Sequence, residues 1–87
     1  MIRIDKEYVL RQIGGDYIIV PVGKTALSFN GMITVNETGA FLWERLVEGT
    51  TEEELLQALI NNYEVTPEIA KDEMKEFLNI LYENNIL

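Results

Sequence analysis

Cysteine and histidine are both absent from the 87 residues. Disulfides, thiolate or imidazole metal ligands, cysteine nucleophiles and histidine bases are therefore excluded. Long apolar runs are missing as well: Tyr17 to Val20 and Ala40 to Trp43, four residues each, fall far short of the roughly 20 needed to cross a bilayer. The N-terminus mixes charge signs over Arg3, Asp5, Lys6 and Glu7 and lacks the apolar core of a secretory signal. No membrane association and a cytoplasmic location are the expectations. Cations are few, with seven Lys and Arg against fifteen Asp and Glu and a formal net charge of −8. What remains is a short chain, 47% hydrophobic, able to bury one core. It reads as a single domain over 1–87.

The charge is unevenly placed. Residues 1–36 carry Arg3, Lys6, Arg11 and Lys24 against Asp5, Glu7 and Asp16, a net of +1, while residues 37–87 hold three basic and twelve acidic side chains, a net of −9. An acidic half repels phosphate where nucleic-acid affinity usually originates, which argues against a DNA or RNA partner.

The first half has the pattern of strands, within about 8–35. Tyr8 to Ile13 alternates loosely and Tyr17 to Val20 is rich in β-branched residues, with Gly14-Gly15-Asp16 between them as a tight hairpin turn. Pro21 has no N–H to donate, so pairing should weaken near Val20. Asn30-Gly31 is a second hairpin signal, with Ala26 to Phe29 on one side and Met32 to Val35 on the other. Three or four antiparallel strands are expected.

The second half, within about 37–83, has the pattern of three helices. Asn36 caps the first, which carries Ala40, Phe41, Leu42, Trp43, Leu46 and Val47 and stops at Gly49. Thr51 and Glu54 form a capping-box pattern ahead of Leu55, Leu56, Leu59, Ile60 and Tyr63. Thr66-Pro67 opens the third and longest helix, which closes at Asn84-Asn85. Strands gathered first and helices second give an α+β class with a winged-helix-like arrangement. The first helix is apolar around much of its circumference, so it should lie between the sheet and the other helices with Trp43 as a core anchor.

Two features exceed what a core requires. Met32, Ile33, Thr34 and Val35 form a strand without charge or proline, the usual guards of a sheet edge; the plainer alternative is that the sheet already pairs it. The third helix spreads Ile69, Ala70, Met74, Phe77, Leu78, Ile80 and Leu81 over about half its circumference, wider than the roughly 100° that faces a core. One flank, by Ile69 and Ile80, borders Glu73 and Glu76; the other, by Met74 and Leu78, borders Lys71 and Lys75. A groove of Met74 and Leu78 with a lysine rim would suit a peptide with apolar anchors and some negative charge. The alternative is a broad buried face with the lysines in ordinary surface contacts.

Asn36-Glu37-Thr38-Gly39, Leu42-Trp43, Glu48-Gly49-Thr50, Leu59, Tyr63, Asp72, and Phe77-Leu78 through Ile86-Leu87, in that order and spacing, resemble the PqqD family of peptide chaperones. The resemblance implies a RiPP recognition element: a non-catalytic domain that binds the leader of a ribosomally made precursor peptide and presents it to a modifying enzyme, commonly a radical-SAM maturase. No cofactor and no metal are expected. In such domains the leader adds as a strand beside the third strand and rests on the third helix. By position, Met32, Ile33, Thr34 and Val35 match the receiving strand, and Met74, Phe77, Leu78 and Leu81 the helix; Lys71 and Lys75 join the candidate site from the helix periodicity alone. The Asn30-Gly31 turn and the Ala26-to-Phe29 segment set the chain apart from the type member, leaving precursor and product open. The competing readings are an oligomerisation or adaptor domain that dimerises by strand exchange, a winged-helix nucleic-acid binder, and a hydrolase built on paired carboxylates.

Overall fold

The computed structural model describes residues 1–4, 7–28 and 31–87. Its elements run β1 (Tyr8–Ile13), β2 (Asp16–Pro21), α1 (Thr25–Ser28), β3 (Ile33–Val35), α2 (Glu37–Glu48), α3 (Glu52–Asn62) and α4 (Pro67–Glu83). The three strands form one antiparallel sheet in the order β1-β2-β3, followed by the long helices α2 to α4, as the α+β pattern predicts.

Three details differ from the sequence expectation. Thr25–Ser28 is a single helical turn and not a strand, with Ala26 and Leu27 N–H groups donating back to Gly23 and Lys24 carbonyls. Short apolar runs carry no reliable period, and here local turn bonding prevails. The Asn30-Gly31 turn falls partly outside the described residues. Met32 lies outside β3 and is 68% exposed. Pairing also reaches Pro21, opposite Tyr8, because a proline can end a strand where its missing N–H is not needed.

The β1–β2 hairpin closes through Gly14-Gly15, since Ile13 pairs with Asp16. Gly14 takes a φ of 62°, the positive value that the first central residue of a two-residue hairpin turn requires. The register aligns Leu10, Ile19 and Ile33 in one row and Gln12, Tyr17 and Val35 in another. Ile19 and Val35 are buried on this face, whereas Arg11, Ile18 and Thr34 form a row on the other.

The helix boundaries follow local chemistry. Asn36 Oδ1 accepts from the Gly39 N–H at 2.8 Å, so β3 ends and α2 begins within one residue. The Thr51–Glu54 capping box is complete in both directions. Thr66 caps α4 ahead of Pro67. At the far end of α4, Asn85 adopts a φ of 58°, while its N–H and that of Ile86 donate to the Tyr82 and Leu81 carbonyls. This is a Schellman closure with asparagine in the position glycine usually holds, and it seats Ile86 in the core.

α2 contacts β3, α3 and α4, the central place its apolar circumference predicts. Trp43 is buried with Leu42, Leu46, Leu55, Leu59 and Leu81. The N-terminal segment is fastened to the end of α2 by reciprocal Ile2–Thr50 backbone bonds and by the Ile4 N–H donating to Leu46.

Candidate functional site

With the order β1-β2-β3, β3 is an edge of the sheet, and among the described residues no strand lies on its outer side. Between that edge and α4 runs a recess of about 190 Å³. Thr34, Val35 and Asn36 form its strand side, Thr38 and Gly39 its end at α2, and Glu73, Glu76, Phe77 and Ile80 its helix wall. A broader recess of about 650 Å³ shares Thr34 to Asn36 and extends to Gln12, Asp16, Tyr17 and Glu37.

Gly39 sets the depth of the groove. A Cβ there would stand 3.0 Å from Val35 Cβ and 3.1 Å from the Phe77 ring, closer than carbon atoms ordinarily approach. The missing side chain lets α2, β3 and α4 converge and makes Phe77 both a core residue and a wall of the recess.

Asp16, Glu37, Glu73 and Glu76 line the two recesses, and among the described residues no lysine or arginine does. The neighbouring cation, Arg45, lies over the Phe41 ring at 3.7 Å, with Nη1 donating to the Phe41 carbonyl. Phe41 meets Tyr63 edge-on, with ring centroids 5.3 Å apart. Burial raises the Tyr63 phenol above its ordinary pKa; Glu37, Tyr17 and Glu73 add to the shift and Arg45 opposes it.

Of the sequence-predicted residues, the structure brings Thr34, Val35 and Phe77 to one recess. Ile33 is half-buried in the same strand, and Met32 stands outside it. Met74, Leu78 and Leu81 are buried in the core. Lys71 and Lys75 are exposed and line neither recess; Lys71 sits about 160° round the helix from Glu73 at about 100° per residue. The flank turned toward β3 is that of Glu73, Glu76 and Ile80, so a peptide contact of Lys71 and Lys75 would lie outside this recess. Sequence reasoning also missed Asn36, Thr38 and Gly39 as groove residues. A strand-ending cap followed three residues later by glycine was the available signal for a close approach at this point.

A model of the family described as coenzyme PQQ synthesis protein D (PqqD) matches residues 7–87. The chain belongs to the PqqD family. No curated protein matches it significantly. Among solved structures it is similar to "TbiB1 in Complex with the TbiA(beta) Leader Peptide", with a TM-score of 0.75 and 20% identity over 99% of this chain and 94% of that one. It is also similar to "Lasso peptide synthetase B1 complexed with the leader peptide", with a TM-score of 0.70 and 22% identity over 94% and 91% of the two chains. At these identities the likeness establishes a shared fold for this PqqD-family chain.

Proposed function

We propose that this PqqD-family domain binds the leader segment of a ribosomally synthesised precursor peptide as an added strand on β3 and presents it to a modifying enzyme, of the radical-SAM type, without catalysing a step itself. A cytoplasmic location belongs to the same reading; among the described residues no helix is long and apolar enough to cross a membrane. The observation that carries it is the open edge of β3 beside a recess walled by Phe77 and Ile80. Family membership and two fold neighbours in complex with leader peptides support it.

Magnitudes divide the work between backbone and side chains. A three-residue strand offers about two to four backbone hydrogen bonds of about 1 kcal/mol net each. That total of about 2–4 kcal/mol is below the roughly 8 kcal/mol of a micromolar complex, before the cost of immobilising the guest. The edge fixes alignment, and side chains entering the recess must supply most of the affinity and selectivity.

Titrating the N-terminal segment of the precursor encoded beside the gene into isotope-labelled protein tests the reading. Amide shifts should concentrate at Ile33–Val35 and at Glu73, Glu76, Phe77 and Ile80. Shifts confined to the surface of Leu10, Trp43 and Val47 would contradict it. A dimer that excludes the peptide at every accessible concentration would assign the edge to a second copy instead.

A further inference from the structure

The occupant of the groove can be specified further, on the strand-addition reading above. We infer that the leader peptide is basic where it meets α4: the side chain it directs into the recess between β3 and α4 is lysine or arginine. The recess has an apolar wall and an anionic rim on one element, Phe77 and Ile80 beside Glu73 and Glu76. A long basic side chain matches both, its methylene stem lying on the apolar wall and its charged head reaching the carboxylates. A leucine would leave those carboxylates facing apolar surface, and a glutamate would meet like charge.

The surroundings sharpen the preference. Glu37 and Asp16 continue the anionic lining into the adjoining recess. The cations nearby are directed elsewhere: Arg45 is held against Phe41, Lys71 and Lys75 lie off the groove, and Arg11 stands on β1, two strands away. With a net charge of −8 over the whole chain, the long-range field favours arrival of a cationic peptide as well as its retention. Because side chains alternate along a strand, the basic positions in the leader should recur at every second residue, on the face turned to α4.

The probe is a fluorescein-labelled synthetic leader from the adjacent precursor, with copies in which its Lys and Arg become Gln or Glu, titrated by anisotropy at low and at physiological salt. The Gln copy should bind roughly three- to tenfold more weakly, the Glu copy more weakly still, with the gap narrowing as salt rises. E73Q/E76Q should weaken the native leader by a similar factor and leave the Gln copy nearly unaffected, the non-additivity of a direct pair. E73K/E76K should reverse the ranking, and E52Q/E53Q, which removes the same charge at the start of α3, should preserve it. A leader that binds on β3 but contains no cation, or binds equally well as its Gln copy, overturns this inference and leaves strand addition standing. A leader that does not bind at all overturns both.

Discussion

Phe77 and Leu78 adjoin in sequence and are equally buried, at 5% exposure each, yet only Phe77 touches the groove. Truncation separates core from site along α4. Leu78→Ala should lower unfolding free energy by about 2–5 kcal/mol in urea titrations, while the folded fraction keeps its peptide affinity. Ile80→Ala, at a half-buried wall position, should cost little stability and weaken leader binding several-fold. The opposite pattern would return Leu78 to the binding face. Sequence made both residues apolar members of one broad arc and could not say which edge of the arc meets the partner. The rotation of a helix about its axis depends on what it packs against, and here that is set by Gly39 and Val35, far away in the chain.

At the scale of elements, the legible features are those made within a few residues. Caps at Asn36, Thr51 and Thr66, the Gly14-Gly15 hairpin and the closure at Asn84-Asn85 each depend on near neighbours, and each stands where its residues predict. Thr25–Ser28 was illegible because four residues cannot display a period, and glycine and lysine carbonyls just upstream accept the bonds that make a helical turn. The junction of β3, α2 and α4 is where local and distant constraints meet. Gly39→Ala improves helix propensity slightly but places a methyl against a buried ring and a β-branched carbon that is anchored to the backbone. The net effect should be a loss of about 1–2 kcal/mol in unfolding free energy from overpacking, together with weaker leader binding as the recess deforms. An unchanged or raised denaturation midpoint would show that the three elements do not converge on that position.

For the molecule as a whole, the division seen in the sequence persists: the sheet and the short turn α1 from the near-neutral half, and the long helices α2 to α4 from the acidic half. The groove lies on the seam between them, one wall from β3 and the other from α4. Composition alone revealed the charge asymmetry; only the docking of α4 shows that Glu73 and Glu76, and not Lys71 and Lys75, face the seam. Recognition by an added strand makes a demand that no other mode shares, since the guest backbone directs alternate N–H groups toward its host. Methylating the backbone nitrogens of the leader one at a time, and measuring affinity for each, examines this directly. Strand addition on β3 predicts a loss of about tenfold or more at every second residue across the contact stretch and tolerance between them; equal losses throughout, or none, would contradict it.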